Sequence, residues 1–502
     1  MRKKKLALNT ITSLGYQLTT IICAFILPRV ILVHFGSQAN GLVQSITEFL
    51  SIIAFLELGV GAVVQSSLYK PLSENNNTLI SQIVVSANKF FKKLAYILLV
   101  YVIVLLFVYP SLIDSSYNYL YTGTLIAAMS ISSFAQYYFG VVDRLLLTAD
   151  QKGYVQYIAQ IVIVLLNTVV CVSLINLGGT IQLVKLTTSL IYLLRPIILR
   201  TYVNKHYNIN RKIKYEKEPI AQKWNGVAQH VAAVILTNTD TVVLTLFSTL
   251  ENVSIYSVYH LVLNGIKNLF TSLTQGMQAL LGELWARQEI DTLQRTFLEF
   301  EWCIHTGVVF VFGCTGVLIM PFVSVYTYGI IDVDYIVPVF SVVLTLAHAM
   351  HCLRLPYNVM ILAAGHYRQT QSNYIVSSIL NVVISILAVY RFGLVGVAIG
   401  TFIAMLYQTV WIAFYNSKNI NKWPFSNFIK QILVDVLTVF IGVILIWNIR
   451  MPEINYLAWI ILAIKVALIW MIVIICVNLI FYKGKIIKFA NIIKNSITKG
   501  EK

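Results

Sequence analysis

The sequence is poor in charged residues, which occupy only 11% of its 502 positions against 58% for hydrophobic residues. A chain with so little charge is not expected to form a soluble globule. Acidic residues are the scarcer kind, with 20 Asp and Glu against 37 Lys and Arg, and the formal net charge is +17. In a soluble protein this excess would suggest nucleic acid as a partner. Here the cations flank apolar runs, so membrane lipids are the expected counter-ions and no nucleic acid is expected.

Sequence patterns typical of enzymes and metal sites are also missing. The six cysteines form no CxxC pair and lie in or beside apolar segments, so we expect buried apolar residues, neither disulfides nor metal ligands. There is no phosphate-binding glycine loop, no Ser–His–Asp setting and no pair of carboxylates on a shared loop. The chain is therefore predicted to be no enzyme and to use no cofactor. A coupling ion, H⁺ or Na⁺, is left open.

Long apolar segments dominate the chain. About fourteen are predicted, over residues 6–35, 41–68, 94–112, 117–147, 154–177, 179–203, 224–248, 253–282, 303–325, 335–363, 371–389, 394–415, 428–447 and 454–482. Each can cross a hydrocarbon core of about 30 Å, which takes about 20 helical residues, and lipid excludes open sheet edges. The expected fold is an all-α polytopic membrane protein. Most cations fall in alternate gaps, and the opposite side holds only Arg391 and Arg450. The positive-inside rule then places both termini in the cytoplasm, which requires an even number of spans.

The first twelve segments form two similar halves. The stretch LLLTADQKGYVQY corresponds to ILAAGHYRQTQSNY, and each is followed by an asparagine (Asn167 or Asn381) and then by a glycine (Gly178 or Gly393). Corresponding segments are six apart and cross the membrane in the same direction, so the repeat is parallel. We expect an N-lobe of six spans over 1–204, a basic cytoplasmic linker or hinge over 205–223 and a C-lobe of six spans over 224–416. Two further helices and a basic tail follow over 417–502.

Charged side chains within the spans are the strongest functional clue. A charge at the bilayer centre costs about 3 kcal/mol or more, so it normally faces a bundle interior or a wet cavity. Two deep cations occur in each lobe, namely Arg29, Arg195, Lys267 and Arg354. They predict a cavity for an anionic substrate, and the planar fork of arginine suits phosphate. The alternative is that they pair with Glu48, Glu57 and Asp240 as structural contacts. Lys185 lies close enough to a helix end to reach the membrane surface.

Other polar residues are candidates for cavity lining or ion coupling. On the tenth span, His348, His351, Arg354 and Asn358 recur every three to four residues, which predicts a polar stripe facing the cavity. The HxxH spacing has no evident third ligand and does not indicate zinc. Asn238, two residues before Asp240 on the seventh span, leaves open a cation or proton site or an interhelical contact.

Two stretches carry a resemblance to a known family, RKKKLALNTITSLGYQLTTIICAFILPRVIL at the start and GLVQSITEFLSIIAFLELGVGAVVQSSLY in the second span. With two six-helix halves, a basic linker and two extra helices, the chain resembles a Wzx-type flippase, a polysaccharide repeat-unit exporter of the multidrug/oligosaccharidyl-lipid/polysaccharide (MOP) superfamily. Glu57 occupies the place of an acidic residue that is common in the family's second span. The cationic cavity of the family matches the four deep cations by depth and lobe, without residue-by-residue correspondence.

The resemblance implies a substrate and partners. The substrate would be an undecaprenyl-pyrophosphate-linked oligosaccharide, moved from the inner to the outer leaflet of the bacterial plasma membrane for capsule, exopolysaccharide or O-antigen synthesis. A polysaccharide polymerase and glycosyltransferases would be partners, together with membrane lipids. Alternating access through the cationic cavity would be the mechanism.

Alternatives remain open. Within the superfamily, a cation-coupled multidrug exporter would need a dominant acidic site, and the excess of buried cations argues against it. The sequence does not separate a lipid II flippase from a repeat-unit flippase. A membrane polysaccharide polymerase would need a large outer loop, whereas the longest predicted outer gap covers only residues 326–334. A scaffold role would leave the buried charges unexplained.

Overall fold

The computed structural model describes residues 2–52, 55–113, 117–216, 218–220 and 227–488. Nearly all of these residues are helical, and they contain no β-strand. The helices are α1 (Arg2–Ser51), α2 (Phe55–Ser73), α3 (Asn77–Leu112), α4 (Tyr119–Ala135), α5 (Val141–Ala149), α6 (Gly153–Asn176), α7 (Ile181–Tyr192), α8 (Leu194–His206), α9 (Val227–Phe247), α10 (Leu250–Ala286), α11 (Ile290–Tyr326), α12 (Pro338–Ala363), α13 (Tyr367–Asn419), α14 (Ser426–Ile446) and α15 (Tyr456–Phe481). A π-helical turn, Gln136–Gly140, joins α4 to α5.

The described helices are suited to a bilayer. Ten helical stretches among the described residues are long and apolar enough to cross one. Their outward faces are apolar as well, since Phe107, Leu120 and Leu387 each expose at least 70% of their surface. Large apolar side chains are stable in such positions when lipid covers them. The chain is therefore an all-α multi-pass membrane protein, which confirms the predicted fold class.

Two helices are longer than a single span and contain a sharp break. α1 has 50 residues and α13 has 53 residues. The breaks lie at Gly36 (φ 81°, ψ 174°) and Gly393 (φ 52°, ψ −129°). Glycine adopts positive φ without the steric cost that a Cβ would bring. Both breaks coincide with predicted gaps, the first after residue 35 and the second after residue 389.

The hydrogen bonds of the two halves reproduce the repeat. Three residues link α5 to α6 and α12 to α13, and the middle residue has positive φ in both links. In α6, Asn167 Oδ1 accepts from Cys171 Sγ at 3.3 Å, and in α13, Asn381 Oδ1 accepts from Ser385 Oγ at 3.3 Å. The same local arrangement is thus built twice, with Cys in one half and Ser in the other.

The chain forms two compact units, Met1–Ser257 and Val258–Lys502. In the first unit, α1 packs along α6 and α9 packs against α1 and α2. In the second unit, α12 packs along α13, and α11 contacts α12, α14 and α15. The boundary between the units falls within α10. The division into lobes over 1–204 and 224–416 depends on the sequence repeat and stays a prediction.

The described part of the predicted linker packs against the first unit. Arg211 Nη2 donates to Asp143 Oδ1 at 3.0 Å, and the backbone amide of Asn210 donates to Ser81 Oγ at 3.0 Å. Ile220 is buried. Residues 207–216 and 218–220 are therefore held on the first unit by specific contacts.

A second contact holds the start of this linker. Tyr207 Oη donates to Asp150 Oδ2 at 2.6 Å, and Lys152 Nζ lies 2.8 Å from the same carboxylate oxygen. Burial and the neighbouring Asp150 carboxylate raise the pKa of Tyr207, so its hydroxyl keeps the proton that it donates.

One tryptophan holds the C-terminal helix pair in place. Trp470 of α15 is fully buried between Gly313 of α11 and Gly442 of α14. A Cβ at either glycine would lie 2.5–2.7 Å from the indole ring. Trp302 Nε1 of α11 also donates to Asn478 Oδ1 of α15 at 2.7 Å. The glycines therefore allow α14 and α15 to pack closely on α11.

Candidate functional site

A group of basic side chains, here called the cationic centre, lies in the second unit and comprises His260, Lys267, His348, His351 and Arg354. Arg354 is only 5% exposed. Its Nη2 atom hydrogen-bonds with His351 Nδ1 at 3.0 Å, and its Nε atom has no hydrogen-bond partner. Among the described residues, no carboxylate forms an ion pair with this guanidinium. Arg354 therefore presents a buried positive charge with an unused donor.

The helix period brings the members of the cationic centre together. His348, His351 and Arg354 are spaced by three residues on α12 and share one face. From α10, the His260 ring lies 5.5 Å from the His348 ring, and the Lys267 charge acts on the α12 histidines. Lys267 and Arg354 carry charges of the same sign, which repel in a medium of low dielectric constant, so an anion beside Arg354 would stabilise this arrangement.

Of the predicted polar stripe on α12, Asn358 does not belong to the cationic centre and contacts another helix instead. His348 Nδ1 hydrogen-bonds with the Leu344 carbonyl of its own helix at 3.0 Å. Asn358 Oδ1 accepts from Tyr374 Oη of α13, which makes Asn358 an interhelical contact. Whether the stripe lines a transport path stays a prediction.

A polar cavity of about 440 Å³ lies in the first unit among α1, α4, α6 and α7. Its polar lining includes Ser132, Gln136, Asn167, Lys185 and Thr188. A smaller cavity of about 70 Å³ shares Ser132 and Gln136 with it. The π-helical turn begins at Gln136, and such turns shift side chains out of the regular helical register.

Arg195 and Arg144 contribute to the wall of the smaller cavity. With the Gln160 amide oriented so that its oxygen faces Arg195, that oxygen accepts from Nη2 at 2.9 Å and from Nη1 at 3.2 Å. Gln160 therefore fixes the orientation of the guanidinium. The expectation that Lys185 reaches the membrane surface is wrong, because Lys185 lines the larger cavity.

The four predicted cations are divided between the units. Arg29, half-buried on α1, and Arg195 belong to the first unit, and Lys267 and Arg354 belong to the second. Their convergence on one chamber stays a prediction.

The predicted acidic and amide residues of the first unit take part in contacts between helices. Asp240 is buried and accepts from Tyr256 Oη at 3.0 Å. Asn238 Nδ2 donates to Ser51 Oγ at 2.8 Å, and Ser51 Oγ donates to Glu48 Oε2 at 3.3 Å. These bonds join α1 to α9 and α9 to α10. The side chain of Glu57, in α2, lies outside the described part of the structure.

Sequence reasoning missed a buried polar cluster in the second unit, formed by Glu301, His305, Tyr357, Gln431 and Asp435. These side chains come from α11, α12 and α14 and connect through hydrogen bonds. Glu301 and His305 stand four residues apart on α11, a spacing that places both on one face. The ninth predicted span begins at Cys303. This start places Glu301 in the gap before the span and separates it from His305.

Three solved structures of membrane proteins have an architecture similar to that of this chain. The lipid II flippase MurJ in an inward closed conformation matches 96% of this chain and 100% of its own, with a TM-score of 0.71 and 15% sequence identity. An inward-facing multidrug resistance transporter of the MATE family, of the MOP superfamily, matches 81% of this chain and 98% of its own, with a TM-score of 0.64 and 14% identity. The chain shares its fold with these two membrane proteins.

A third match is the eukaryotic MATE transporter AtDTX14, with a TM-score of 0.56 and 11% identity over 87% of this chain and 98% of its own. At these identities the likeness concerns the fold. No protein-family model matches the chain, and no curated protein matches it by sequence. Among the described residues, no group of three His, Cys, Asp or Glu side chains could hold a metal ion.

Proposed function

We propose that the chain is a flippase for undecaprenyl-pyrophosphate-linked oligosaccharide repeat units. It would act in the bacterial plasma membrane, with both termini in the cytoplasm, and supply capsule, exopolysaccharide or O-antigen synthesis. The observation that carries this proposal is Arg354, a buried guanidinium with an unpartnered Nε and no described carboxylate. Diphosphate is an anion whose oxygens suit the fork of arginine.

The chemistry of the substrate explains why such a site is needed. Sugar hydroxyls and diphosphate charges lose their hydration in hydrocarbon, at a cost that prevents unaided crossing. The cationic centre would replace water around the diphosphate. Hydroxyl and amide side chains would replace water around the sugars. The polyprenyl tail would remain in lipid while the lobes alternate access.

A lipid II flippase is the second candidate. The MurJ match supports it, because it covers 96% of this chain with a TM-score of 0.71, against 81% and 0.64 for the MATE transporter. A cation-coupled multidrug exporter is disfavoured, because it would need a dominant acidic ion site and the side chains around the buried Arg354 are basic.

Replacement of Arg354 in the native host tests the proposal. We expect Arg354→Ala to abolish surface polysaccharide and to accumulate lipid-linked repeat units on the inner leaflet, while membrane insertion is unchanged. Arg391→Ala is the matched control, because Arg391 is an exposed arginine of the same unit. Accumulation of lipid II with normal surface polymer would favour the second candidate. Normal levels of both would contradict an anionic lipid-linked substrate.

A further inference from the structure

The buried polar cluster of the second unit connects three helices through one chain of hydrogen bonds. Tyr357 Oη donates to Glu301 Oε1 and lies 3.4 Å from His305 Nε2. On its other side, His305 Nδ1 lies 2.6 Å from Asp435 Oδ2. Gln431 Nε2 donates to Asp435 Oδ1 at 3.0 Å. The chain therefore runs from Glu301 on α11, through Tyr357 on α12 and His305, to Asp435 on α14.

Few other charges lie near this cluster. All five members are buried, and His305 is fully so. Among the described residues, Tyr482 and Lys485, which follow α15, are the other titratable groups that act on it. Lys485 Nζ donates to the Leu298 carbonyl at 3.1 Å, and the described part of the structure shows no ion pair between Lys485 and Glu301. Two carboxylates thus share a single histidine, Asp435 directly and Glu301 through Tyr357 Oη.

The hydrogen bonds allow two arrangements with the same number of protons. In the first, a charged His305 donates through Nε2 to Tyr357 Oη, and Tyr357 donates to an ionised Glu301. In the second, a protonated Glu301 donates to Tyr357 Oη, and Tyr357 donates to Nε2 of a neutral His305. In both, His305 Nδ1–H donates to an ionised Asp435. One proton passes between His305 and Glu301 as each O–H and N–H bond breaks and reforms, and the cluster carries one net negative charge throughout.

We propose that Glu301, Tyr357, His305 and Asp435 form a proton-binding relay that takes up and releases one proton. The ligand is a proton, because each group is an acid or base and the hydrogen bonds leave no gap for a larger ion between them. A cavity of about 410 Å³ lined by Lys485, Tyr482 and Trp302 lies beside this end of α11 and would give access to water. Uptake of one further proton neutralises the cluster. Because Asp435 belongs to α14 and its partners belong to α11 and α12, proton uptake changes the electrostatic link between them.

Infrared difference spectroscopy on the full chain in lipid nanodiscs tests this relay directly. We expect a pH step to produce the C=O band of a buried protonated carboxylic acid, titrating as a single step. Glu301→Gln should remove that band. Glu453→Gln should leave it unchanged, because Glu453 is an exposed carboxylate of the same unit.

A second variant separates a relay from a static contact. Tyr357→Phe removes only the bridging hydroxyl, so Glu301 and the His305–Asp435 pair should titrate in two separate steps. This variant also covers the case in which Glu301→Gln fails to fold. The proposal is wrong if wild-type protein shows no buried-acid band over the pH range in which it stays folded. It is equally wrong if the titration is identical in Tyr357→Phe. Neither outcome depends on which substrate the chain moves.

Discussion

A single methyl group tests how closely the C-terminal helices pack on α11. In Gly313→Ala, the added Cβ would lie 2.5 Å from Trp470 Cη2, and the fully buried indole has no room to move. Overpacking of this kind costs about 1–3 kcal/mol. We expect a lower unfolding temperature for the purified protein, measured by a thermal-shift assay.

Gly265→Ala is the control for that substitution. Gly265 lies on helix α10, and a Cβ there would meet nothing within 4 Å. Alanine has a higher helix propensity than glycine by up to about 1 kcal/mol, so this variant should be as stable as the wild type or more stable. Equal unfolding temperatures for Gly313→Ala and the wild type would show that Trp470 is not confined as described.

Individual site residues differ in how well the sequence predicts them. Arg354 was predictable, because a buried arginine in a span needs a polar environment. Lys185 was misassigned, although Lys185, Thr188, Ser189 and Tyr192 follow helical spacing and line one cavity. The positions of Gly36 and Gly393 as turns follow from their place between apolar segments. The space that Trp470 occupies cannot be predicted from the sequence, because it requires Gly313 and Gly442, on two helices distant in the sequence, to face the same indole ring.

At the scale of helices, hydrophobicity predicts which residues lie within the membrane, but it does not predict the residue at which a helix begins. The third span was predicted from residue 94, yet α3 begins at Asn77, where the Asn76 side chain accepts from the Leu79 amide at 3.0 Å. Such a cap defines the helix end independently of the membrane. α11 likewise begins well before its apolar segment, at Ile290, although no side-chain cap hydrogen bond marks its start, and Glu301 lies within it. Hydrophobicity alone therefore does not place polar residues just outside an apolar run, such as Glu301, within a helix.

The contact between the linker and the first unit gives a prediction at this scale. Asp143→Asn removes the charge that binds Arg211 at 3.0 Å and Arg200 at 3.4 Å. A hydrogen bond to a charged group contributes about 1.5–3 kcal/mol, so release of residues 207–216 should become about tenfold or more frequent. We expect faster trypsin cleavage after Arg211, Lys212 and Lys214 in purified protein.

Glu74→Gln is the control for the trypsin experiment. Glu74 pairs with Lys70 at 3.8 Å on an exposed surface, and such pairs contribute little. Its cleavage pattern should match that of the wild type. If Asp143→Asn is cleaved no faster than Glu74→Gln, the Asp143 contact does not hold the linker.

At the scale of the whole molecule, the apolar pattern and the repeat predicted most of the architecture. Where the structure describes them, the fourteen predicted segments fall on helices, and the Asn167 and Asn381 hydrogen bonds occur at corresponding positions of the repeat. The contacts of α14 and α15 with the other helices of the second unit could not be predicted from the sequence. For example, Asp435 contacts His305, which lies 130 positions away in the sequence. The fold also does not identify the substrate, because proteins of one fold transport different molecules.

Transport of a defined lipid in proteoliposomes tests the central claim most directly. The measurement is the rate at which an undecaprenyl-pyrophosphate-linked oligosaccharide becomes accessible to an external sugar-modifying enzyme. We expect transport by the wild type and by Arg391→Ala, and a loss of about tenfold or more in Arg354→Ala, because a charged hydrogen bond to diphosphate is removed. Arg354→Lys should be intermediate, since it keeps the charge but loses the planar fork. No transport by the wild type, or equal rates for Arg354→Ala and Arg391→Ala, would contradict the account.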